Sequence, residues 1–164
     1  MILGMPTFTF VHVLLSLVGI FSGFVVVFGM LGAKRLDGWT ALFLATTVLT
    51  SVTGFLFPFH KFLPSHGVGI LSLIALLFAI VARYGRKLVG PWRRIYAVTA
   101  VISQYLNVFV LIAQLFQKVP ALKAMAPNGS EPPFLVSQLV CMAIFVVLGI
   151  AAAIKFRPEA VLAT

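Results

Sequence analysis

Acidic residues are scarce in this sequence of 164 residues, which has 12 lysines and arginines but only 3 aspartates and glutamates. The three carboxylates, Asp37, Glu131 and Glu159, all fall outside the long apolar segments. Proton pumps and cation-coupled transporters commonly place ionisable groups within the membrane. The sequence therefore argues against ion-driven transport through an intramembrane acid.

Cysteine is limited to Cys141, which excludes an intramolecular disulfide and any cysteine-rich metal or redox motif. The sequence also lacks the glycine-rich loops that hold phosphate groups. Its serines have no acid–base partner that would make one of them a nucleophile. These absences favour a protein that is not an enzyme.

Charged residues make up only 9% of the chain, and hydrophobic residues make up 62%. A soluble domain has roughly 25% charged and 45–50% apolar residues, so this composition excludes a water-soluble enzyme or a disordered tail. It predicts a polytopic membrane protein, with the lipid bilayer as its first partner. The net charge of +9 does not indicate nucleic-acid binding, because the basic residues lie between the apolar blocks.

Five apolar segments are long enough to cross the bilayer, which takes about 20 residues of helix for roughly 30 Å. They cover residues 7–33, 39–59, 68–84, 95–117 and 134–154. Runs such as Phe24–Phe28 do not alternate in polarity as β-barrel strands do. The sequence therefore predicts an all-α bundle of five transmembrane helices in a single domain, 1–164. Residues 1–33 lack a basic start and a cleavage site, so we expect them to be retained as the first span.

The basic residues predict the orientation of this bundle, because they concentrate in cytoplasmic loops. Three segments on one side of the membrane hold nine basic residues, and the segments on the other side hold three. This asymmetry puts the N-terminus outside and the C-terminus in the cytoplasm. The nine are Lys34, Arg35, Arg83, Arg86, Lys87, Arg93, Arg94, Lys155 and Arg157, and the three are Lys61, Lys118 and Lys123.

The densest part of this charge begins at the end of the third predicted span and continues into the loop after it. It consists of Arg83, Arg86, Lys87, Arg93 and Arg94. Its first interpretation is the orientation signal itself. A further hypothesis is recognition of anionic lipid headgroups, where each basic residue near the surface contributes about 1 kcal/mol.

Small and polar residues share faces of several spans. Gly19 and Gly23 are four residues apart, which allows two helices to approach closely. The polar residues expected to face the bundle interior are Ser16, Thr50, Gln104, Asn107, Gln114 and Gln138. Hydrogen bonds between helices are one explanation for them. The amides also allow a second interpretation, in which they contact a partner, a water molecule or a ligand.

The three histidines lie at one membrane level in this topology. His12 is near the outer end of the first span, and His60 and His66 flank the loop between the second and third spans. Imidazoles commonly bind zinc, copper and haem iron. One hypothesis is an outward-facing site for a transition metal or one haem, with Gln114 and Gln138 nearby. In the alternative, His60 and His66 are interfacial residues and His12 hydrogen-bonds Thr50, Thr53 or a backbone carbonyl.

Three stretches of the sequence carry a resemblance to known proteins: Thr50–Phe59, Gln104–Val110 and Ser130–Phe134. They resemble stretches in a group of short multi-pass membrane proteins of bacteria that is itself uncharacterised. The resemblance implies location in the bacterial inner membrane, but no substrate and no catalytic residue.

The sequence thus predicts a small membrane subunit or accessory factor that is not an enzyme. It would act with a membrane protein partner or as a homo-oligomer formed through Gly19 and Gly23. A haem- or metal-binding redox component that uses the histidines is the alternative. A passive conduit for a small neutral solute, lined by the threonine, asparagine and glutamine side chains, is the third possibility.

Overall fold

The computed structural model describes residues 1–2, 4–58 and 60–157, and these residues form helices without any β-strand. The predicted all-α class is thereby confirmed. The helices are α1 (Thr7–Leu31), α2 (Asp37–Gly54), α3 (Pro64–Ile80), α4 (Trp92–Lys118), α5 (Pro120–Met125) and α6 (Pro132–Lys155). A π-helical turn, Val81–Gly85, continues α3 directly.

Four helices in the described part of the chain are long and apolar enough to cross a membrane: α1, α3 with its π-helical turn, α4 and α6. The second helix, of 18 residues, does not meet this description, because Asp37 and five threonines lower its mean hydropathy. It ends at Gly54, short of the predicted limit at Phe59, which lies outside the described residues.

The other helices match the predicted segments to within a few residues. The third helix begins at Pro64, four residues before the predicted start. Proline suits the first turn of a helix because its missing N–H has no acceptor there. A short helix, α5, forms in the predicted loop between the fourth and fifth spans and also begins on a proline, Pro120.

Consecutive long helices run antiparallel, and α4 contacts α1, α3 and α6. The core lies where α1, α2, α3 and α4 meet. It includes Val27, Phe43, Leu76, Tyr96 and Ala100, all fully buried. The end of the bundle that contains Leu31, Asp37, Gly85, Trp92 and Lys155 is called the basic end below, and the opposite end is called the histidine end.

The two glycines singled out in α1 pack inside the chain. A Cβ on Gly19 would lie 3.2 Å from the hydroxyl oxygens of both Thr46 and Thr47. A Cβ on Gly23 would lie 2.5 Å from the amide carbon of Gln104. Close helix packing through these glycines therefore occurs between α1 and its own neighbours. Because both glycines are buried, this face is not open to a second copy, and the predicted homo-oligomer contact through it is wrong.

Candidate functional site

A buried arginine at the basic end meets a surface carboxylate. Arg83 lies in the π-helical turn and is only 2% exposed. Its guanidinium donates to the Asp37 carboxylate and, at 3.1 Å, to the backbone carbonyl of Arg35. The Asp37 side chain is 72% exposed and also accepts from the Arg35 Nε, at 3.2 Å. One carboxylate thus pairs with both a buried and an exposed guanidinium.

Aromatic and hydroxyl groups complete the surroundings of Arg83. Its guanidinium carbon lies 5.2 Å from the centroid of the Tyr96 ring, within the range of a cation–π interaction. The Tyr96 hydroxyl donates to the Thr40 hydroxyl at 3.4 Å, and Thr40 donates to the Arg35 carbonyl at 3.2 Å. The Phe156 ring packs 5.5 Å from Tyr96. These contacts connect the ends of α2, α3, α4 and α6.

The π-helical turn gives Arg83 an unusual backbone setting. The Arg86 N–H donates to the Val81 carbonyl at 2.8 Å, which is an i to i−5 bond. Turns of this kind are rare and often occur at functional sites. One guanidinium nitrogen of Arg83, Nη1, is buried without a hydrogen-bond partner among the described residues. The hydrogen bonds of the Arg83 guanidinium are therefore not fully satisfied among the described residues.

The structure separates the residues that were predicted to bind lipid headgroups. Arg83 does not belong to them, because it is buried and bonded inside the chain. Arg86 packs over the Trp92 ring at 5.1 Å, and Arg93 donates to the Phe156 carbonyl. Lys87 and Arg94 are exposed. The signal for Arg83 was present in the sequence, since it fell inside the predicted third span, where an ionisable residue needs a partner.

Three amide side chains in the middle of the bundle hydrogen-bond to neighbouring helices. The Gln104 amide nitrogen donates to the Ile20 carbonyl at 2.8 Å. The Asn107 amide donates to the Thr47 hydroxyl at 3.2 Å, and the Gln138 amide donates to the Phe109 carbonyl at 3.1 Å. The explanation by hydrogen bonds between helices therefore holds for these three residues.

The remaining predicted interior residues differ in their surroundings. The Ser16 hydroxyl donates to the His12 carbonyl in its own helix at 2.8 Å, and Gln114 is exposed rather than interior. Three buried oxygens have no partner among the described residues: Thr50 Oγ1, Gln104 Oε1 and Gln138 Oε1. Buried polar atoms of this kind are commonly bonded to internal water. The conduit interpretation stays a prediction.

The histidines have different roles at the histidine end. His12 Nδ1 and the Thr53 hydroxyl are 2.8 Å apart, and the Phe57 ring meets the imidazole edge-on at 5.0 Å. His66 Nδ1 accepts from the Leu63 N–H at 2.9 Å, which caps the start of α3. His60 is exposed in the loop. The structure thus supports the alternative in which His12 bonds Thr53.

A three-ligand metal site is not formed by these residues. Among the residues that the structure describes, no three histidine, cysteine, aspartate or glutamate side chains lie close enough to hold one metal ion. The hypothesis that His12, His60 and His66 together bind a metal is therefore not supported by the geometry. A haem needs only one or two axial ligands, so haem binding stays a prediction.

Comparison with known proteins does not assign the chain to a family. No protein-family model matches the chain, and neither curated proteins nor solved structures give a match. The resemblance to bacterial membrane proteins stays a prediction. A functional proposal therefore depends on the contacts and surfaces of the chain itself.

Proposed function

We propose that the protein crosses the bacterial inner membrane five times and acts there as a small subunit or accessory factor that is not an enzyme. Its N-terminus would be outside and its C-terminus in the cytoplasm. The proposal has three supports: the packing of α2, the charge of the basic end, and the exposed surface of α6.

The packing of α2 supports a fifth crossing. It pairs antiparallel with α1 from the Gly29–Leu36 contact at one end to the His12–Thr53 bond at the other. His12 and Gly29 are 17 residues apart, a helical rise of about 26 Å. The hydrocarbon core is about 30 Å thick, so α2 would cross most of it. Its threonines Thr46 and Thr47 face α1 rather than lipid, which explains its lower apolarity.

The charge of the basic end supports the proposed orientation. The ends of α1, α2, α3, α4 and α6 meet there, and nine of the twelve lysines and arginines lie in or beside the connecting segments. Such residues are retained on the cytoplasmic side. The histidine end, with Lys61, Lys118 and Lys123, would then face outward.

The exposed surface of α6 is the observation that carries the proposed role. Only 17% of its most apolar stretch is buried, against 33% to 39% in the other three candidate spans. It packs mainly against α4 and slightly against α1. Its free side includes Ala143 and Val147. A helix at the edge of a bundle with an apolar free side can pack against a neighbouring membrane helix, and Ala143 is small enough to allow close approach at one point.

Photo-crosslinking in native membranes tests this role. A photoreactive amino acid would replace Val147 on α6, which is 65% exposed, or Leu77 on α3, which is 60% exposed and equally far from the basic end. We expect the Val147 probe to give one protein adduct of defined mass and the Leu77 probe to give none. Lipid adducts alone at both positions, or the same protein adducts from both, would contradict the proposal.

A further inference from the structure

A groove on the surface of the bundle runs between α4 and α6. Its volume is about 620 Å³, within the range of roughly 300–1,000 Å³ that is typical of ligand pockets. Apart from Arg94 at one end, the walls are almost entirely apolar. They include Val98, Ile102 and Tyr105 from α4, and Met142, Gly149 and Ala153 from α6.

Helical spacing explains the shape of this groove. Residues 94, 98, 102 and 105 of α4 recur every three or four positions, as do 142, 146, 149 and 153 of α6, so each helix presents one stripe. Gly149 has no side chain to fill the space opposite Val101. The rings of Tyr105 and Phe145 lie 5.7 Å apart and form the wall nearest the middle of the bundle.

One charged residue lines the groove, at its basic end. Arg94 is exposed, and its side chain has neither a hydrogen bond nor an ion pair among the described residues. Arg93 lies near enough to both Arg94 and Arg157 for their positive charges to repel its own. The described carboxylate at this end, Asp37, is already paired with Arg35 and Arg83. Among the residues that the structure describes, the positive charge at the mouth of the groove therefore has no carboxylate of its own.

We propose that this groove binds one anionic phospholipid, with an acyl chain along α4 and α6 and its phosphate on Arg94. An apolar groove of this length, about 17 Å from Arg94 to Tyr105 at the helical rise, suits a hydrocarbon chain. The positive mouth suits a headgroup with net negative charge. A second copy of the chain fits less well, because its own charge of +9 would meet the same arginines. The inference goes beyond the proposed subunit role and does not depend on it.

Native mass spectrometry of the purified full-length protein tests the headgroup contact. The protein in detergent would be offered phosphatidylglycerol and phosphatidylcholine with identical acyl chains. We expect one retained phosphatidylglycerol, and about fivefold lower retention in Arg94→Gln, the effect of one basic residue near an anionic surface. Lys34→Gln removes the same charge from an exposed position in the α1–α2 loop and should leave retention unchanged.

A second pair of variants tests the acyl chain contact. Ala153→Phe would fill the groove, whereas Ala143→Phe adds the same ring to an exposed position of α6 outside it. We expect only Ala153→Phe to abolish retention. Four outcomes would overturn the inference: equal retention of both lipids, unchanged retention in Arg94→Gln, equal loss in the two phenylalanine variants, or a protein dimer in place of the lipid adduct. Since the Arg94 side chain is exposed and makes no hydrogen bond among the described residues, Arg94→Gln keeps the test decisive if Ala153→Phe does not fold.

Discussion

The buried guanidinium of Arg83 pairs with the carboxylate of Asp37, which is itself mostly exposed to solvent. Burying an arginine carries a desolvation cost of several kcal/mol, which its partners must offset. Here the partners are Asp37, the Arg35 carbonyl and the face of Tyr96. The pair therefore makes the position of the end of α3 depend on the start of α2.

Removing the charge of Asp37 should destabilise the protein. In Asp37→Asn the Arg83 guanidinium stays buried but loses its carboxylate. A buried donor left without its partner costs about 1–3 kcal/mol, and more when the group is charged. The lower half of that range is expected, because solvent screens the exposed carboxylate. The free energy of unfolding in detergent, from a denaturant titration, measures the change.

Arg35→Gln is the matched control for Asp37→Asn. The Arg35 side chain also pairs with Asp37, but both groups are exposed, and a surface ion pair contributes only about 0–1 kcal/mol. The Arg35 carbonyl, which accepts from Arg83, is unchanged by this substitution. A larger loss in Arg35→Gln than in Asp37→Asn would show that the buried pair is not the important one.

A methyl group on Gly23 should also destabilise the bundle. In Gly23→Ala the new Cβ would lie 2.5 Å from the Gln104 amide carbon and 2.9 Å from Phe43. Overpacking of this kind costs about 1–3 kcal/mol, and here it also displaces the Gln104–Ile20 hydrogen bond. Thermal unfolding in detergent measures the effect. Gly67→Ala is the control, because a Cβ there meets no atom within 4 Å; equal loss in both variants would exclude a packing cause.

The helices could be predicted from the sequence because apolar blocks of about 20 residues have few other solutions in lipid. The second helix shows where this reasoning weakens. Its predicted segment, 39–59, was read from apolar content alone, whereas the helix begins at Asp37 and ends at Gly54. A carboxylate in the first turn is favourable to the helix dipole, and Pro58, close after the end, cannot continue a helix.

The polar contacts could be predicted only in part. The stripe of Gln104 and Asn107 on α4 follows from helical spacing, but their partners, Ile20 and Thr47, depend on which helices become neighbours. The contact of Arg83 with Asp37 joins residues 46 positions apart. It depends on a π-helical turn, which no periodicity in the sequence predicts. The predicted topology puts the histidines at one end of the bundle. The capping of α3 by His66 could not be predicted in this way, because it depends on the local backbone geometry.

Acidic pH should weaken the segment that precedes α6. Slight desolvation tends to raise the pKa of the Glu131 carboxyl, but the backbone N–H groups of Asn128 and Ser130 and the Asn128 amide together hold this pKa below its usual value. A carboxyl whose folded pKa is lowered stabilises the fold above the unfolded pKa of about 4.3. That contribution is lost as the pH falls through the lower, folded pKa.

Thermal unfolding between pH 6 and pH 3 measures this dependence. The wild-type Tm should fall more below about pH 4.3 than the Tm of Glu131→Gln, which has no carboxyl to protonate. At pH 6 the variant should be the less stable of the two, because its amide accepts more weakly from the Asn128 and Ser130 N–H groups. Parallel pH curves for the two proteins would rule out a contribution from Glu131.

Thiol labelling decides whether α2 crosses the membrane. The sole native cysteine, Cys141, is buried, so the labelling of an introduced cysteine can be measured with little contribution from it. Lys34→Cys and Lys61→Cys lie in exposed loops at the two ends of α2. We expect a membrane-impermeant maleimide to label Lys61→Cys in intact spheroplasts, and Lys34→Cys only after the membrane is permeabilised. If both positions react before permeabilisation, or neither does, then α2 returns to the side from which it began. The chain would in that case cross four times, the count of helices that are apolar enough on their own, and both termini would share one compartment.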